Sequence, residues 1–216
     1  MNTRFSFLLA LSAAVAILSG CATSRDVVTI QVPTTTNPTT GQAVKIESVK
    51  DARQFEAKPS DPSVPSLMGG EIGDADLRAR AIARKRNGYG AALGDVLLPE
   101  NTSVAQMTEQ AIARAYREAG YRVVSVGDPE HAAALPVSAQ IDKLWAWMQP
   151  GFWAVKVSSQ HNIKLTSPTL TQQGSETLTG STEQSMQVVV SDDWAKAIQR
   201  TLDEFALNLK TRLQRR

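Results

Sequence analysis

Leu135-Pro136-Val137-Ser138-Ala139-Gln140-Ile141-Asp142-Lys143-Leu144-Trp145-Ala146-Trp147 is the stretch that decides the fold. Its odd positions carry Leu135, Val137, Ala139, Ile141, Lys143, Trp145 and Trp147. Alternation with a period of two marks a strand that buries one face. The same parity returns in Trp153, Val155, Val157, Ile163 and Leu165, after Gln149-Pro150-Gly151. A three-residue loop would pair Trp147 with Trp153, Trp145 with Val155, Val137 with Ile163 and Leu135 with Leu165. Both apolar sets then share one face. A two-residue loop would spoil this, because a one-residue slip reverses every side chain.

Working outward, residues 167–174 are a polar turn region and Glu176 to Val190 supplies another strand. Ser191 and Asp192 are placed to cap a last helix. Its buried stripe is Trp194, Ala197, Ile198, Thr201, Leu202, Phe205, Leu209 and Leu213. Upstream, Thr102 or Ser103 caps a helix with Val104, Met107, Ala111, Ile112, Ala115 and Ala119 on one face. Gly120 stops it, and Tyr121 to Val126 is a strand. Val44 to Val49 is a strand, and Val27 to Val32 is an edge strand. Residues 54–75 are loop-like, with Pro59, Pro62 and Pro65 each removing a backbone donor. Helix and strand readings compete from Leu77 to Arg86.

This order implies an α+β fold: a mainly antiparallel sheet of about four to five strands with two helices packed on one face. Val44–Val49 and Tyr121–Val126 are expected as parallel neighbours joined by a crossover. The body is read as a single domain over 43–216, with a long insert near 54–100.

Residues 1–20 read as a cleaved signal peptide: Arg4, then an apolar run from Phe5 to Leu18. The run is shorter than the roughly 20 residues that span a bilayer. Leu18-Ser19-Gly20-Cys21 closes it as a lipobox and holds the only cysteine. Cys21 is thus the expected lipidation site, taking fatty acyl chains of the palmitate class, with 21–42 as lipidated residue and tether. Two or more chains hold a protein stably at a membrane, where one does not. Ala22 follows the cysteine. The absence of an aspartate there favours the outer membrane, facing the periplasm. With Cys21 acylated no thiol remains for a disulfide, so the exported body depends on its core.

A net charge of +2 over 216 residues gives no case for nucleic acid as a partner. The chain resembles the YajG-like family of bacterial lipoproteins. The resemblance rests on the lipobox, on Val44 to Arg53, on Gly94-Asp95-Val96-Leu97-Leu98 with the helix after it, and on Ala119-Gly120-Tyr121-Arg122-Val123-Val124. It implies a lipid-anchored α+β body in the periplasm and supplies no catalytic residue.

Chemistry is sparse. His131 and His161 are the only histidines, and neither has an acid at ligand-like spacing. Gly88-Tyr89-Gly90 lacks the Lys-Ser/Thr of a phosphate loop. No catalytic set, cofactor site or metal site is read. Arg78, Arg80, Arg84, Lys85, Arg86 and Tyr89 form a candidate surface for anionic lipid headgroups, lipopolysaccharide phosphates or an anionic envelope polymer, or for a protein partner, against the plainer reading of a solvated face. Trp145, Trp147, Phe152 and Trp153 form a candidate aromatic docking tip, against the plainer reading of cross-strand core packing. The expectation is a non-enzymatic binding or accessory module held to the membrane by its acyl chains. The alternative is a lipid- or glycan-handling envelope enzyme, which needs a deep pocket with convergent polar groups.

Overall fold

A computed structural model describes residues 25–151, 153–171 and 173–215. The elements in order are β1 (Asp26–Val27), β2 (Ala43–Asp51), a 3-10 segment (Met68–Gly73), α1 (Ala75–Arg80), β3 (Ala81–Arg86), β4 (Ala92–Leu97), α2 (Val104–Glu118), β5 (Arg122–Val123), β6 (Leu135–Pro150), β7 (Val155–Thr166), β8 (Ser175–Met186) and α3 (Ser191–Gln214).

The α+β class stands, but the sheet is larger than expected and mixed. Among the described residues eight strands form one sheet. β6, β7 and β8 are antiparallel neighbours, as are β3 and β4. β1–β4, β2–β5, β2–β6 and β3–β6 are parallel. The extra strands come from the stretch read as an insert. Leu77–Arg86 is helix and then strand, because α1 ends at Arg80 and Ala81 starts the β3–β4 hairpin. The expected neighbours do pair in parallel, Ala43 with Arg122 and Val44 with Val123, but β5 is two residues long. The first strand ends at Val27. Val28, Ile30 and Val32 are nonetheless buried, so the stretch read as tether is packed into the body.

β6 changes partner along its length. Its first half pairs β2, from Val44 with Leu135 to Asp51 with Ile141. Further on, Ala146 pairs with Ala83 of β3. β7 lies along the other edge throughout. The sheet therefore forks into a β2–β5 branch and a β3–β4–β1 branch. Arg53, two residues beyond β2, fills the fork. Its Nη1 donates to the carbonyls of Ala81 at 2.6 Å and Leu144 at 3.1 Å. Its Nη2 donates to the Arg78 carbonyl at 2.7 Å and to Asp51 at 2.8 Å. The local Asp51–Arg53 pair is present, but it serves a side chain that is fully buried.

The β6–β7 register also differs. Ile141 pairs with Ile163, and the next pair is Lys143 with Asn162, so Asp142 is an extra residue on β6. This bulge reverses parity. Trp147 faces Ser158 across the ladder and Trp145 faces Gln160. The connecting turn is Gly151–Ala154, closed by the Gly151 N–H on the Ala154 carbonyl at 2.9 Å. Before the bulge the odd residues Val137, Ala139 and Ile141 meet the helices. After it Leu144 and Ala146 do. Trp145 turns to the other face and packs with Leu67, Ala81 and Leu97. There the 54–80 segment covers it.

α2 and α3 cover the main core. Ser103 caps α2: its hydroxyl accepts from the Gln106 N–H at 3.2 Å, and the Gln106 side chain accepts from the Ser103 N–H at 2.8 Å. Gly120, at φ +94°, ends the turn that follows. At the start of α3 the cap is not the one expected. Asp193 accepts from the Val190 N–H at 3.0 Å, while the Ser191 hydroxyl donates to Asp26 at 2.7 Å. Arg114 joins the two helices through Asp203 at 2.6 Å.

Arg53→Met should leave the buried Ala81 and Leu144 carbonyls and the part-buried Arg78 carbonyl without this donor and cost on the order of 3–5 kcal/mol in urea unfolding. Arg53→Lys should recover less than half of it, because one ammonium cannot span the fork.

Candidate functional site

Cys21 and Phe152 lie outside the described residues. The described chain opens at Arg25, which is held on both sides. Its Nε donates to Asp95 at 3.1 Å, and its Nη2 pairs with Glu71. Asp26 pairs with Lys85 at 2.9 Å and accepts from Ser191. Four residues after Cys21 in sequence, the Arg25 side chain is thus already tied to the body, and β1 begins at Asp26.

The basic run does not form one surface. Arg80 is buried, donating from Nε to the Leu98 carbonyl at 2.9 Å and approaching Asp76 at 3.6 Å. Lys85 is committed to Asp26. Arg78 lies on α1, and its carbonyl receives Arg53. Arg84, Arg86 and Tyr89 stay together, because β3 runs straight into its turn. They line a groove of about 510 Å3 with Lys58, Pro59 and Gly90. Arg86 donates to the Pro59 carbonyl at 3.0 Å. Arg84 reaches the Ala57 carbonyl only at 3.5 Å, and its buried Nε has no hydrogen-bond partner among the described residues. Burial lowers the pKa of both guanidiniums, and for Arg86 the Arg84 charge lowers it further. Asp95 opposes the shift at Arg84, and Asp61 opposes it at Arg86. Lys58 was not among the residues singled out from sequence. It lies in the proline-rich stretch, whose position against β3 has no local signature.

The aromatic set is also divided. Trp145 is buried, with Nε1 donating to the Pro62 carbonyl at 3.2 Å and its ring edge-on to Phe55 at 5.9 Å. It belongs to the core and not to a docking tip, because the Asp142 bulge turned it under the 54–80 segment. Trp147 is half-buried under Lys143, whose Nζ is 5.7 Å from the ring centre. Trp153, at the β6–β7 turn, is 81% exposed.

The histidines separate. His131 lines a cleft of about 340 Å3 with Glu109, Arg117 and Val123–Val126. His161 is fully buried beneath α3, edge-on to Phe205 at 5.6 Å, and neither ring nitrogen has a hydrogen-bond partner among the described residues. Its cross-strand neighbours are Leu144 and Gly180. Gly180 leaves it room: a Cβ there would lie 2.4 Å from His161 Cε1 and 2.7 Å from Glu204 Oε1. Burial lowers the His161 pKa to about 4, so the ring is neutral. Among the described residues no three His, Cys, Asp or Glu side chains converge as a metal site, and no helix is long and apolar enough to cross a membrane.

No family model and no curated protein matches the chain. Solved structures share its outline at low identity. An uncharacterised protein is 11% identical with TM-score 0.45, covering 88% of this chain and 97% of its own. A Xanthomonas campestris protein of the DUF330 family is 12% identical with TM-score 0.47, over 88% of this chain and 95% of its own. A minor lipoprotein from Acinetobacter baumannii is 12% identical with TM-score 0.35, over 50% of this chain and 83% of its own. With TM-scores below 0.5, these likenesses bear on neither activity nor partner.

His161 should make stability depend on pH. The unfolded imidazole takes its proton near 6.5 and the folded one only near about 4. Between those values the unfolded chain binds the extra proton. Stability therefore falls as pH drops from 6.5 towards 4, by at most roughly 3 kcal/mol, and this contribution levels off below. His161→Leu should flatten most of that slope in urea unfolding measured across the same window.

Proposed function

We propose that the chain is a YajG-like envelope lipoprotein. It is cleaved before Cys21, acylated there, and held at the periplasmic face of the outer membrane as a non-enzymatic binding or accessory module. The observation that supports this most is the junction of anchor and body. The lipobox residue precedes Arg25 by four positions, and Arg25 and Asp26 are fixed by Asp95, Glu71, Lys85 and Ser191. Four residues reach at most about 14 Å. A lipid on Cys21 therefore holds this body close against a bilayer. The groove of Lys58, Arg84 and Arg86 is a candidate binding surface in the same body.

The test is the intact mass of protein taken from its native envelopes, with Cys21→Ala and Ala22→Asp as comparisons. The expected result is loss of the leader with an added acyl mass, absent in Cys21→Ala, which leaves the acylated fraction. Ala22→Asp is expected to move the protein from the outer to the inner membrane on a density gradient. A bare thiol with the leader still attached would overturn the lipoprotein reading.

A further inference from the structure

Three separate segments bring exposed apolar side chains to one end of the sheet. β3 runs parallel to β6, so the Asn87–Ala91 turn and the Gly151–Ala154 turn share that end. β8 finishes there too, since Met186 pairs with Val155, and α3 starts there at Ser191. On these segments Tyr89 is 99% exposed, Trp153 81%, Val188 71% and Val190 55%. These are four of the seven large exposed apolar residues among those described. Beside Tyr89 opens the groove of Lys58, Arg84 and Arg86. Arg84 is 9% exposed, and its Nε is buried at the groove wall without a hydrogen-bond partner among the described residues. Asp95, which acts on it, is already shared between Arg25 and the Met68 N–H.

The described chain opens towards the same end. β1 runs parallel to β4, with Asp26 opposite Val96, so its N-terminal side faces the Asn87–Ala91 turn. Arg25 sits level with Asp95, three strand residues or roughly 10 Å short of Ala92. The four residues from Cys21 to Arg25 extend at most about 14 Å. That reach covers the distance from Arg25 to the level of this turn, so an acyl chain on Cys21 is compatible with a bilayer lying there.

We propose that this end is a membrane-contact face, with Tyr89, Trp153, Val188 and Val190 at the lipid interface and the Lys58–Arg84–Arg86 groove taking the phosphate of an anionic phospholipid headgroup. The inference rests on acylation of Cys21. An aromatic ring with a polar handle suits that interface, and a guanidinium suits a phosphate. Glu183, Asp192 and Asp193 lie on the β8–α3 side, so phosphate binding is confined to the β3 side of the face.

The experiment uses the mature protein from its host, with acylation checked by mass, in vesicles of phosphatidylcholine with or without phosphatidylglycerol. Lipids brominated near the headgroup report the depth of Trp153, taken as the emission removed by Trp153→Phe. The expected result is quenching by bromolipid, stronger with phosphatidylglycerol, and protection from iodide. Lys58→Gln and Arg86→Gln should each weaken the phosphatidylglycerol dependence roughly fivefold and leave the phosphatidylcholine signal alone. Trp153 quenched by iodide and not by bromolipid overturns the face. Quenching equal in both lipids overturns the phosphate groove. A second copy covering this end, seen as a dimer whose iodide protection persists without vesicles, also overturns the face. If the mass shows Cys21 bare, the anchor reading fails on its own. The same chain floated with phosphatidylglycerol vesicles then decides the face: co-flotation lost in the Lys58 and Arg86 variants supports it, and no flotation overturns it.

Discussion

The fork in the sheet depends on one guanidinium. Where β6 leaves β2 for β3, Arg53 donates to the Leu144 carbonyl of β6 and to the Ala81 carbonyl at the head of β3. A third donation reaches the last turn of α1 through Arg78. Arginine suits this place because its donors are fixed in a plane and stay charged when desolvated. Asp51 neutralises the charge from the strand that Arg53 has just left. The branch carrying β1, β4 and the candidate groove is thereby joined to the branch carrying β2 and β5.

Much of the architecture was legible. Both long helices follow their apolar stripes, and the Ser103 cap is where the chain advertises it. Pairing of β6 with β7 and of β2 with β5 also follows from local pattern. The register did not, although its trace is visible. Lys143 interrupts the odd stripe, and Leu144 and Ala146 are apolar on the even side. Those residues mark a strand that is buried on both faces after a change of parity, and a single alternation rule cannot represent that. The strand character of Ala81–Arg86 was hidden for a different reason. Its arginines find buried carbonyl acceptors, such as Pro59 for Arg86, and those acceptors are set by tertiary structure alone.

The same cause explains why the candidate surface shrank. Five cations and Tyr89, close together in sequence, made one candidate surface. Arg80 and Lys85 instead hold the body together, through Leu98 and Asp26. Lys58 joins from a distant loop. A charge run on a strand next to a helix end divides by direction, and only packing shows which member points where.

The bulge at Asp142 has a consequence for how this chain tolerates change in length. One surplus residue keeps two halves of β6 in opposite phase, the first presenting Ile141 to the helices and the second presenting Trp145 away from them. That residue is slack: losing its codon would close the bulge and leave both halves of the ladder paired as they are, Ile141 with Ile163 and Lys143 with Asn162. Straightening the strand with Asp142 kept in line would do the opposite, turning each later side chain to the wrong face and driving the indole of Trp145 beneath the last helix.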